Sequence, residues 1–206
     1  MTQPSHQKII VLIVFIIAAI LSSLFIFHMT HKQTPKLVNN DVTIFNVARN
    51  LKDFDLIQGD GKAFKPHDFK DHWTILFFGF THCGDVCPIT MDLLAHTYQE
   101  LKRPYPSLQV VLVSIDPEHD STTSLANYTK QYHRDFIGVA GKQQQVRKLQ
   151  SQFGVFAEKS KLDQQIAHTS SLFLINPQGQ WVGLIRYGLT PKQFIDTFKS
   201  SMTVLT

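Results

Sequence analysis

The stretch Trp73 to Leu101, WTILFFGFTHCGDVCPITMDLLAHTYQEL, narrows most what this chain can become, and it holds both cysteines, Cys83 and Cys87. Ahead of them, Thr74 to Phe80 is apolar, β-branched and aromatic, which predicts a strand buried on both faces. Behind them, Met91, Leu94, Ala95, Tyr98 and Leu101 recur at three- and four-residue spacing and draw one stripe along a helix. The cysteines therefore sit at a strand-to-helix turn. Pro88 suits the first helical turn, where a missing N–H has no intrahelical partner to lose. That end of a helix is electrically positive. It favours thiolate over thiol, so the pair is expected to be both a nucleophile and a soft-metal ligand.

The rest of the chain supplies elements for one domain around that turn. Phe54 to Ile57, the turn Gly59-Asp60-Gly61-Lys62 and Phe64 read as a hairpin. Leu108 to Ile115 is a second buried strand, and two such strands joined through a helix predict a parallel βαβ unit. Ser121 to Tyr132 and Lys142 to Phe153 read as helices, the second closed by Gly154. Ser171 to Ile175 and Trp181 to Tyr187 form a hairpin through Asn176-Pro177-Gln178-Gly179. A last helix starts with Thr190 as N-cap and Pro191 at its first position. A βαβ half, a ββα half and cysteines at the first strand's carboxyl end predict an α/β, thioredoxin-like fold, a central mixed sheet flanked by helices.

Residues Ile9 to Phe27 are uncharged throughout, and as a helix they would reach roughly 28 Å, about one bilayer core. No small-residue cleavage site follows them, so an uncleaved transmembrane anchor is expected. The expected organisation is a tail over 1–8, an anchor over 9–27, a polar linker over 28–45 and the domain over 46–206. Of the twenty Lys and Arg, Lys8, Lys32 and Lys36 precede residue 41, leaving seventeen bases against sixteen acids in the remainder. A balance of +1 gives no clustered basic face for nucleic acid. The flanking charges nearly tie across the anchor, and the arginine-free start MTQPSHQK points to a bacterial plasma membrane rather than a mitochondrial address.

The C-x₃-C spacing alone leaves three readings open: a metal pair, a disulfide in an oxidising compartment, or a thiol–disulfide exchanger one residue longer than the usual C-x-x-C. A structural disulfide over so short a loop would add little stability through loop entropy. His82 reads as a turn residue or a tuner of its neighbour Cys83. Asp116 and Pro117 read first as an N-cap and first-turn pair.

GFTHCGDVCP (Gly79 to Pro88), SIDPEHD (Ser114 to Asp120) and HTSSLFLINPQGQW (His168 to Trp181) resemble the Sco/SenC family of copper-binding, membrane-anchored, thioredoxin-like proteins. The resemblance runs from about Asn46 to the C-terminus. It implies copper ligands at Cys83, Cys87 and His168, and a role in building the dinuclear copper centre of cytochrome c oxidase. Gly84 stands where the family usually has proline. Ala167 stands where it usually has aspartate, which removes an expected acceptor for the imidazole. Two thiolates and an imidazole suit three-coordinate Cu(I), with Cu(II) as a second state, whereas structural zinc would need a fourth protein ligand.

The expectation is thus a copper metallochaperone rather than a turnover enzyme, with Cys83 and Cys87 also a redox-active pair. Its domain would lie on the extracytoplasmic side, and its partners would be the copper-site subunit of the oxidase and another copper chaperone or a thiol reductase. The main rival is a membrane-tethered reductase that keeps a copper-site protein's cysteines reduced. A thiol peroxidase or redox sensor is more remote.

Overall fold

The computed structural model describes residues 5–30, 36–159 and 166–205. Residues 1–4 of the expected tail and 31–35 of the expected linker lie outside them. The chain divides into two compact units, Met1–Thr34 and Pro35–Thr206.

The first unit holds the helix α1, Ser5–Thr30. Side chains are described only from 10 to 24, and all of them are exposed. Among the described residues no helix is long and apolar enough to cross a membrane. The spanning helix expected over 9–27 is therefore not established by the structure.

The second unit is built on a nine-stranded mixed sheet in the order β1-β2-β11-β10-β5-β6-β7-β3-β4. Its centre is β5, Thr74–Gly79, with every residue buried, paired in parallel with the equally buried β6, Gln109–Ser114. Both are continuous apolar runs because helices cover both faces of a sheet built by crossovers. The connection between them is α2, Val86–Lys102, which buries Met91, Leu94, Tyr98 and Leu101 as the periodicity predicted. On the other flank, β10 (Leu172–Ile175) runs antiparallel to β5 and to β11 (Gln180–Ile185). Gly179 closes their turn at φ 75°, a backbone region open to glycine.

Beyond β6 the chain passes through α3, Thr122–Tyr132, into β7, Ile137–Ala140, parallel to β6. The hairpin β3 (Leu56–Gln58) and β4 (Ala63–Phe64) forms as expected but pairs with β7 at the sheet's far edge. Helix α4, Gln143–Phe153, ends on Gly154 at φ 63°. The last helix is α5, Pro191–Leu205. Its start is a reciprocal cap: Gln193 N–H donates to Thr190 Oγ1, and Thr190 N–H donates to Gln193 Oε1.

Two readings of the sequence are corrected here. The stretch expected to be a linker up to residue 45 contains β1, Lys36–Asn39, and the start of β2, Val42–Asn50, which pairs with β11. Val42 and Ile44 enter the core at 2% and 3% exposure, so the sheet begins ten residues before Asn46. Asp116 is not a helix cap: residues 116–120 form a turn, and the cap of α3 is Ser121, whose side chain accepts from Ser124 N–H.

Candidate metal centre

Cys83 leaves the carboxyl end of β5 in a short loop, and Cys87 lies with Pro88 in the first turn of α2, where the sequence placed the proline. The helix end acts on sulfur directly, since Cys87 N–H points at Cys83 Sγ from 3.4 Å. Both cysteines are free thiols, Cys83 half-buried and Cys87 fully buried. His168 arrives from a separate two-stranded hairpin, β8 (Ala157–Lys159) with β9 (Ile166–His168), which pairs Ala157 with His168. The ligating atoms of Cys83, Cys87 and His168 all lie within 4.8 Å of one another.

The imidazole is held from behind. His168 Nδ1 lies 3.0 Å from the Thr169 carbonyl, which can only accept, so Nδ1 carries the proton and Nε2 is left as the lone-pair donor. Thr169 is fixed in turn, because its N–H donates to Phe156 O and its Oγ1 accepts from Phe156 N–H. This backbone carbonyl fills the role that the missing aspartate at Ala167 left open; Ala167 itself is exposed. The rings of Phe77 and Phe80, 6.1 and 6.2 Å from the imidazole centroid, wall the site with apolar surface.

The cysteine loop is tied to the sheet by a carboxylate that sequence reading did not single out. Asp120, 3% exposed, accepts from Thr81 N–H, Thr81 Oγ1 and Ser114 Oγ. These bonds pin the residue two before Cys83 to the end of β6. His82 stays exposed, its Nδ1 3.0 Å from Thr81 Oγ1, outside the cluster of three ligating side chains.

The two thiols are driven apart. The Cys87 thiol donates to the Cys83 sulfur, and with the backbone N–H groups of Cys87 and Asp85 it pulls Cys83 down to about 4. The same bond to Cys83, followed by burial, pushes Cys87 up. Cys83 is thus the standing thiolate and Cys87 the reserve proton. In the metal-free reduced chain, iodoacetamide should alkylate Cys83 alone, at a rate nearly flat between pH 6 and 8. An ordinary thiol would accelerate roughly tenfold per unit below its pKa of about 8.5. Peptide mapping showing Cys87 labelled first would refute this assignment.

Two thiolate sulfurs and one imidazole, with water held off on the aromatic side, form a soft three-donor set. They fit Cu(I) better than a hard cation, and they are also a dithiol pair able to exchange disulfides.

Residues 45–203 match the protein family described as SCO1/SenC. A putative copper-binding protein of Stutzerimonas stutzeri is 31% identical over 150 residues, covering 71% of this chain and 74% of that protein. The mitochondrial SCO2 homolog of Danio rerio is 29% identical over 162 residues, covering 76% of this chain but only 58% of its own, longer length. Among solved structures, Arabidopsis thaliana ScoI with copper bound superposes at a TM-score of 0.68 and 27% identity, covering 75% of this chain and 99% of that one.

Proposed function

Because the chain belongs to the SCO1/SenC family, we propose that it is a copper carrier that takes Cu(I) on Cys83, Cys87 and His168 and hands it to the copper-site subunit of cytochrome c oxidase. The observation that carries this reading is the convergence of the three donor atoms within 4.8 Å, brought together from the loop after β5, the first turn of α2 and the β8–β9 hairpin. A dithiol exchanger has no use for an imidazole oriented with Nε2 free; a copper carrier does. The copper named for the Stutzerimonas and Arabidopsis relatives is consistent with the same donor set.

We further propose that the uncharged run Ile9 to Phe27, inside α1, anchors the chain in a plasma membrane with the copper domain outside the cytoplasm. A reporter fused after Thr206 should then be active only when exported, and activity solely in the cytoplasm would overturn the topology.

The test of the carrier reading is His168→Ala. The substitution removes one donor from Cu(I) while leaving both thiols and the N–H groups at the start of α2. Copper affinity, measured by competition with a chromophoric Cu(I) chelator, should fall by roughly 10–100-fold or more. Disulfide exchange with a model dithiol should persist, because thiolate reactivity depends on local pKa and access. Unchanged copper affinity, or an equal collapse of exchange, would make the reductase the better reading.

A further inference from the structure

The motif SIDPEHD, Ser114 to Asp120, closes β6, and its first and last residues meet: Ser114 Oγ donates to the Asp120 carboxylate from 2.6 Å. A charge buried at 3% exposure is costly unless hydrogen bonds compensate it. The other donors to this carboxylate all belong to one residue, Thr81, through its N–H and its Oγ1.

Thr81 stands where the pairing of β5 with β6 has just ended. The final backbone bond between them runs from Ile115 N–H to Gly79 O, 2.9 Å. In a parallel ladder the next rung would join Thr81 N–H to Ile115 O, and that N–H goes to Asp120 instead. Thr81 also opens the turn that ends at the first cysteine. Cys83 N–H donates to Phe80 O across 3.4 Å, a long bond for a turn, with Thr81 and His82 between them. Because one carboxylate holds both the backbone and the side chain of Thr81, the course of the chain to Cys83 is set from β6 more firmly than by the turn's own bond.

We propose that Asp120 is a positioning residue of the copper centre: by gripping Thr81 it holds Cys83 at the place where its sulfur can share one Cu(I) with Cys87 and His168. The inference rests on the reading of those three residues as a copper site. Groups that orient a ligand without touching the metal commonly govern affinity, and losing one costs about 10–100-fold.

The experiment loads the full chain in detergent with Cu(I) and sets its affinity, by chelator competition, beside its urea midpoint. Asp120→Asn replaces one acceptor oxygen with an amide donor, so Thr81 and Ser114 can no longer both donate to it, and copper affinity should fall about tenfold or more. Thr81→Val removes the hydroxyl grip and should also lower the affinity, whereas Thr81→Ser keeps the hydroxyl and should bind as the unsubstituted chain does. Ser114→Ala takes a donor from the same carboxylate on its β6 side; it should lower the urea midpoint and leave copper affinity unchanged. Folded Asp120→Asn that binds copper as tightly as the unsubstituted chain overturns the inference. So does Ser114→Ala losing as much affinity as Thr81→Val, because the carboxylate would then act through stability alone. If Asp120→Asn does not fold, equal affinity in Thr81→Val and Thr81→Ser overturns it. No copper on the unsubstituted chain overturns the carrier reading itself, and this inference with it.

Discussion

Oxidising Cys83 and Cys87 to a disulfide should empty the chain of copper, from about one ion per reduced chain to less than roughly a tenth of one, because a disulfide sulfur carries no thiolate charge for Cu(I). Both cysteines are free in the structure and both belong to the three-donor cluster, so oxidation leaves the imidazole of His168 alone. A single neutral nitrogen competes poorly with buffer ligands for Cu(I). Loading under a reductant, followed by desalting, thiol titration and metal analysis, measures the effect. Re-reduction should restore binding in full. Copper retained stoichiometrically by the disulfide form would place the metal on other ligands and remove the cysteines from the centre. The same two electrons would then gate release, because an oxidant that takes them from the thiolates also removes the reason for copper to stay.

The parts of this site that were legible in the sequence are those in which one residue's neighbours along the chain decide its structure. Strand β5 and helix α2 are such cases: a continuous apolar run has to be buried, and an apolar stripe has to face something. The position of His168 was legible only through the family resemblance. Its hairpin strands are AEK and IAH, short and largely exposed, with no alternation that would mark a strand. The edge hairpin β1–β2 was hidden in a similar way. A polar beginning and the Asn39-Asn40-Asp41 turn look like a linker until Val42 and Ile44 are seen packed against the core. Two further features could not be read from residue types at all. The bond from Asp120 to Thr81 joins positions 39 apart. The acceptor for His168 Nδ1 is a backbone carbonyl, which every residue has, so the absent aspartate at Ala167 overstated the loss.

Replacing Gly79 with alanine should displace the Cys87 sulfur and cost both stability and copper. The reason is space and not backbone strain, because Gly79 is not among the residues with positive φ. A Cβ on Gly79 would meet Cys87 Sγ at 2.9 Å, Leu112 Cδ1 at 3.1 Å and Phe77 Cε1 at 3.1 Å. Leu112, Phe77 and Cys87 are all fully buried, so no flexible end can swing into solvent to make room. Overpacking of this kind costs about 1–3 kcal/mol, read as a lower urea midpoint at unchanged slope. The yielding atom is the ligand itself, so copper affinity should also fall, by about 100-fold, the upper end of the scale for disturbing a ligand's surroundings. Gly84→Ala is the control: it lies in the same loop, between the cysteines, and its added Cβ meets nothing within 4 Å. That variant should keep wild-type copper affinity and stability. If Gly79→Ala binds copper as tightly as Gly84→Ala, the sulfur of Cys87 either is not a ligand or has freedom that its burial beneath β5 denies, and the centre would need a different second thiolate geometry.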